Sequence, residues 1–179
     1  MIDKQTGLPP AIVFGADQKV IGASPYPCPW FEFKQRFAFN PQRLALAEKF
    51  EAWVGNLVTI VAPEFIWIGG SYASDKPDPK DIDAVLFYRY RQPFADPQSH
   101  AAFLNAHRAL LTPAAVKRDY GLDCACVALS MPVERLIAIS AEWTMILSGN
   151  PDGSRRAFYC IPIASMLDGA AVLKFSTLE

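Results

Sequence analysis

Histidine is nearly missing from this chain: His100 and His107 are the only two, and no pair of cysteines stands in a C-x-x-C spacing. A zinc centre built from nitrogen and sulfur donors therefore lacks its usual ligands. Of the four cysteines, Cys124 and Cys126 lie two apart in an apolar run, on one face of a strand, and read as small core residues. Long apolar stretches are missing as well. No run approaches the roughly 20 residues of a membrane span, and the opening "MIDKQTGLPP" lacks the apolar region of a signal peptide. The expectation is a cytoplasmic protein with no membrane partner. An excess of one charge is also absent, since 17 Lys and Arg stand against 18 Asp and Glu. That balance argues against the broad positive field of a protein that coats long nucleic acids, while leaving room for a local basic patch. No internal repeat and no low-complexity segment occurs.

What is present is ordinary globular material. Half of the 179 residues are hydrophobic and a fifth are charged, enough for one compact unit with its own core. The 15 prolines gather in the first third and in the loops. Residues 1–40 read as a hairpin turning at Gly15 to Gln18, followed by a proline- and aromatic-rich arm anchored by Phe31, Phe33, Phe37 and Phe39. Residues 41–179 read as the main domain.

Asn40 and Pro41 form a helix start, a capping side chain followed by a residue with its φ already set. Leu46, Phe50, Trp53 and Leu57 then recur on one helical face. Strands are predicted over Phe65 to Ile68 and from Asp81 to about Tyr88, rich in β-branched and aromatic residues. Asp96 and Pro97 open a helix carrying Phe103, Leu104, His107, Leu110 and Leu111, and Thr112 and Pro113 begin a shorter one. A third strand is predicted over Leu122 to Leu129. A last helix runs from about Pro132 to Ser148, with Leu136, Ile139, Trp143, Ile146 and Leu147 inward. Beyond "NPDG" comes a final strand, "RAFYCIPIA". This order predicts an α/β (α+β) fold, a small mixed sheet with helices on one face. Pro77 and Pro79 in the link between the first two strands disfavour a crossover helix and point to an antiparallel or irregular connection.

The candidate site lies in "IWIGGSYASDKPDPKDIDAVLFY". Asp81 and Asp83, two apart on a strand, would face the same way about 7 Å apart. Such a pair repels itself unless a cation or solvent intervenes. A solvated strand end explains the pair alone. The neighbouring strand, however, ends in Gly69, Gly70 and Ser71, whose unencumbered backbone amides and one hydroxyl suit a phosphate. Together a phosphate-holding turn and a metal-holding pair make a place for a nucleoside triphosphate with magnesium.

The segment "GGSYASDKPDPKDIDAVLFY" resembles the signature of the polymerase-beta-like nucleotidyltransferase superfamily, a Gly-Ser pair ending one strand and Asp-x-Asp opening the next. It is especially similar to small bacterial and phage nucleotidyltransferase-like proteins with a lysine and proline in the loop, here Lys76 with Pro77 or Pro79. The resemblance is firm over residues 65–88 and looser from Trp30 to Leu129. It implies a third carboxylate on a later strand, for which Asp123 in "GLDCACVAL" is the match because an acid in an apolar strand is costly. Asp119 in "KRDYG" is the alternative, in a more polar setting. The implied roles are Asp81, Asp83 and Asp123 as ligands of a two-magnesium site, with Asp123 also orienting the acceptor hydroxyl. Gly70 and Ser71 would hold phosphate, and Lys76 would either neutralise phosphate charge or be a solvated loop residue.

The implied reaction is transfer of a nucleoside monophosphate from a nucleoside triphosphate to a hydroxyl on a protein, an RNA or a small molecule. The alternatives are an inactive nucleotide- or protein-binding module of the same fold, and a member of a toxin–antitoxin or phage-defence pair with a protein partner. His107 reads as packing at the edge of the apolar stripe. The pairs Lys117 with Arg118 and Arg155 with Arg156 read as solvated surface or as the rim of a site mouth, and Trp143 as core.

Overall fold

The computed structural model describes residues 12–14, 16, 20–150 and 153–167. The expected hairpin turn at Gly15 to Gln18, the opening ten residues, and Pro151 and Asp152 of the "NPDG" turn lie wholly or largely outside the described residues. Strands β1 (Ile12–Phe14) and β2 (Val20–Ala23) pair antiparallel. The main sheet holds β3 (Tyr26–Pro27), β4 (Ala62–Gly69), β5 (Asp83–Arg89), β6 (Asp123–Ala128) and β7 (Tyr159–Pro162). The helices are α1 (Trp30–Phe37), α2 (Pro41–Ile60), α3 (Pro97–Ala106), α4 (Arg108–Leu111), α5 (Pro113–Tyr120), α6 (Val133–Ser148) and α7 (Ala164–Leu167). The spatial order of the sheet is β3-β7-β4-β5-β6. β4 runs antiparallel to both β5 and β7, while β5 is parallel to β6 and β3 to β7. The fold is therefore α+β with a mixed sheet, and the β4 to β5 link is antiparallel as the prolines indicated.

Helices cover both faces of the sheet, not one. Ile66, Ile68, Ala84, Leu86, Tyr88 and Cys124 are buried with residues of α1, α2 and α5. The alternate residues Val85, Phe87 and Val127 are buried with Phe158 and with Leu147 of α6. A strand buried on both sides carries consecutive apolar residues, which is the meaning of "AVLFY" at positions 84–88. Along α6 the expected inward face holds for Leu136, Ile139, Trp143 and Leu147, but Ile146 is exposed together with Val133, Ile137 and Met145.

The proline-rich arm also differs from expectation. Tyr26 and Pro27 join the sheet edge beside β7, and from Trp30 the chain is helical. Trp30, Phe33 and Phe37 recur at helical spacing and are buried, whereas Phe31 and Phe39 face outward. The helix expected after Pro97 breaks at His107, which caps α3 before α4 begins. His107 packs against Phe103 with the two rings tilted at 56° and 4.6 Å between centroids, in keeping with a packing role. The α2 start is as read: the Asn40 side chain accepts a hydrogen bond from the Arg43 amide at 2.9 Å, with Pro41 in the first turn.

One buried residue ties α2 to the loop that leads to the site. Arg43 is inaccessible to solvent. Its guanidinium donates to the carbonyls of Phe37, Tyr72 and Lys76 and stacks on the rings of Phe39 and Tyr72, at 4.5 and 4.6 Å. The Tyr72 hydroxyl donates back to the Arg43 carbonyl at 2.9 Å.

Candidate active site at the β5 and β6 termini

The parallel register of β5 and β6 sets Asp83 directly opposite Asp123. Neighbouring strands lie about 4.8 Å apart, so the two carboxylates begin from adjacent points on the rim of the sheet. Asp81 does not lie on the strand as expected: β5 starts at Asp83, and Asp81 sits in the bend before it. The bend is held because buried Ile82 accepts a hydrogen bond from the Asp123 amide at 3.0 Å. Asp81 and Asp83 thus meet Asp123, some 40 residues later in the chain, at one end of two adjacent strands.

The depths of these acids reverse the sequence expectation. Asp123, expected to be the buried one, has a side chain 58% exposed, while that of Asp81 is 19% exposed. As the first residue of an edge strand, Asp123 emerges at the rim where water reaches it. Asp83 takes the enclosed position. Burial, then the charges of Asp81 and Asp123, push its carboxyl up to about 6, against a partial offset from the Ser71 amide and Lys117. Asp119 is exposed and paired with Arg118 at 2.6 Å, which leaves Asp123 as the third acid.

The glycine turn has a different job from the one its sequence suggests. The Gly70 amide donates to the Leu147 carbonyl at the end of α6, at 3.2 Å, so it is not free for phosphate, and the Ser71 amide lies close enough to the Asp83 carboxylate to favour its charged form. Gly70 is required for space and conformation instead. Its φ is +64°, and a Cβ there would stand 1.7 Å from Asp83 Oδ2. Gly69 is similarly confined, since a Cβ would lie 2.6 Å from the Leu147 carbonyl oxygen. The Ser71 hydroxyl has no hydrogen-bond partner among the described residues.

The cation in the site comes from α5. Lys117 Nζ pairs with Asp81 Oδ2 and lies 3.4 Å from Asp123 Oδ2. Partial burial works against its charge, but hydrogen bonds and attraction from the two acids outweigh that and raise its pKa. By contrast the Lys76 side chain is exposed and makes no hydrogen bond or ion pair among the described residues, while its carbonyl accepts from Arg43. Lys117 was readable from the sequence only as one of two basic pairs, because its partner Asp81 is 36 residues away.

Among the described residues no group of three or more His, Cys, Asp or Glu side chains forms a ready metal cage. The donor set is nevertheless of the right kind. Three carboxylates suit a hard divalent cation, and one positive group, the Lys117 ammonium, already bridges two of them. No helix is long and apolar enough to cross a membrane among the described residues.

The enclosed Asp83 gives the metal-free protein a characteristic response to acid. An unfolded aspartate releases its proton near 3.8, whereas folded Asp83 keeps it to about 6. Between these values the native state binds more protons, so its contribution to unfolding free energy falls as pH rises through that window. In chelator-treated protein, urea melts from pH 4 to pH 6.5 should show this loss, and Asp83→Asn should flatten it. An equal slope in the variant would assign the effect to another group.

The fold and site thus define an α+β protein with three carboxylates at one end of a mixed sheet. The chain belongs to a family described as "Family of unknown function (DUF6932)", which it matches over residues 2–159. No curated protein and no solved structure matches it.

Proposed function

We propose that this protein is a metal-dependent nucleotidyltransferase of the polymerase-beta-like kind, moving a nucleoside monophosphate from a magnesium-bound nucleoside triphosphate to a hydroxyl acceptor. The acceptor class is a protein, an RNA or a small molecule. The observation that carries this reading is the meeting of Asp81, Asp83 and Asp123 beside a turn whose Gly70 leaves room only for the Asp83 carboxylate. Ordered this way, the motif is more than a solvated strand end, because the fold encloses a repelling carboxylate and shapes its neighbour around it.

In this reading Asp81, Asp83 and Asp123 would hold the metal. Magnesium, when bound, would supply charge neutralisation on the triphosphate and polarise the phosphorus under attack. The Ser71 hydroxyl would donate to a phosphate oxygen. Asp123, the most solvent-accessible of the three, would accept a hydrogen bond from the incoming hydroxyl and orient it. Positioning and electrostatics would then provide most of the rate.

A second reading, a nucleotide- or protein-binding module without turnover, draws on a specific observation. The Gly70 amide is engaged within the protein, and Lys117 ties up two of the acids.

A thermal-shift panel with the four common nucleoside triphosphates, each with and without magnesium, separates these readings. Magnesium-dependent stabilisation by at least one nucleotide is expected, about 2.7 kcal/mol at a hundred times its dissociation constant, and Asp83→Asn should abolish it. No shift with any of the four would sink the enzyme reading and leave a protein-binding member of the family.

A further inference from the structure

We propose that Lys117 is a built-in counter-ion that closes the acidic site until a divalent cation displaces it. This inference rests on the metal-dependent reading of the same three acids and concerns how that site is loaded. The geometry is specific. The lysine stands on α5, whose Ala115 and Val116 are buried, so the root of the side chain is fixed while its end bridges Asp81 and Asp123. The bridge links the half-buried bend at Asp81 to the exposed rim at Asp123.

A lysine is suited to such a latch. Its flexible four-carbon stem carries a compact charge that can leave one partner for another without moving the backbone. With 47% of the side chain exposed, Lys117 has open solvent to swing into. It satisfies Asp81 and Asp123, but among the described residues makes no hydrogen bond to Asp83. A divalent cation entering between the acids meets the ammonium at close range, and like charges there repel. Occupancy by the metal and occupancy by the lysine are therefore mutually exclusive. The displaced ammonium carries its charge out toward the mouth of the site, where a polyanionic substrate arrives.

The test measures binding of Mn2+ alone, followed by the electron paramagnetic resonance of free Mn2+, on the wild type, Lys117→Met, Lys117→Arg and Lys117→Met combined with Asp83→Asn. Losing the competing charge should tighten Mn2+ binding on the order of tenfold, equivalent to about 1.4 kcal/mol. Lys117→Arg, which keeps the charge, should stay close to the wild type. Binding that appears only in Lys117→Met supports the latch equally. Unchanged or weaker binding in Lys117→Met overturns it.

An independent readout uses the native lysine. Mg2+ should raise acetylation of Lys117 several-fold, read by mass spectrometry against the exposed Lys76 and Lys80 as internal references. A purely structural ion pair would leave that ratio constant, and a constant ratio in protein shown to bind Mn2+ overturns the proposal. The double variant separates the two levels of the reading. Binding that requires Asp83 but ignores Lys117 removes the latch and keeps the metal site, whereas binding that ignores Asp83, or no binding by any variant, removes both.

Discussion

Gly70→Ala should abolish divalent-cation binding and lower stability by about 2–3 kcal/mol, combining left-handed backbone strain with a side chain forced from its rotamer. The structural cause is local. An alanine methyl at this position would overlap the Asp83 carboxylate, with Cβ 1.7 Å from Oδ2 and 2.4 Å from Cγ. Asp83 cannot yield cheaply, because its Cα is locked opposite Gly69 in the β4 ladder and opposite Asp123 in the β6 ladder. The turn cannot yield cheaply either, since the Gly70 amide is bonded to the end of α6. Gly121→Ala is the matched control. It has a similar φ, +72°, but nothing lies within 4 Å of the added methyl, so it should lose only about 1–2 kcal/mol of backbone strain and bind Mn2+ like the wild type. Equal losses in the two variants, with Mn2+ binding intact in both, would show that the close approach of Gly70 to Asp83 is dispensable.

Arg43→Ala should cost on the order of 3–5 kcal/mol, a large part of the about 5–15 kcal/mol that holds a domain together. The side chain is fully enclosed, yet among the described residues no carboxylate pairs with its guanidinium. Three backbone carbonyls, from Phe37, Tyr72 and Lys76, take that place. Truncation leaves all three without a donor and opens a cavity between Phe39 and Tyr72. A lysine would not restore the arrangement, because one ammonium cannot reproduce a planar fork that addresses three acceptors. Denaturant unfolding should show a lower midpoint at an unchanged slope, with Arg43→Lys recovering less than half of the loss. A change below about 1 kcal/mol, the range of exposed ion pairs, would mean that the carbonyls find other partners.

These effects bear on how much could be read from the chain before its structure. The helix start at Asn40 and Pro41 and the apolar face of α2 are local properties, and local chemistry was enough to find them. The same holds for Asp81, Asp83 and Asp123, because acids entering apolar runs stand out in any strand pattern. Depth was not readable. Whether Asp83 or Asp123 is enclosed depends on which strand is central and which lies at the edge, a property of the whole sheet. Nor was the role of Gly70 readable, since its amide partner Leu147 is 77 residues away in sequence. The helix α6 was found, but its position on the opposite face was missed although "AVLFY" carried the signal, five successive apolar residues that one buried face cannot absorb. Arg43 left no signal at all, because an arginine in an amphipathic helix normally faces water.

Edge position has a further consequence for β6. Asp83 is anchored in β5, which is laced to a neighbour on each side, whereas Asp123 rides a strand with a single neighbour in the sheet. The three acids therefore do not share one mechanical fate. Fraying at the start of β6 would carry Asp123 outward, leave Asp83 paired with β4, and release the bond that holds the bend at Asp81. The aperture between the acids is thus governed by a few terminal hydrogen bonds, the Asp123 amide to the Ile82 carbonyl foremost, and it can widen without disturbing the core behind it.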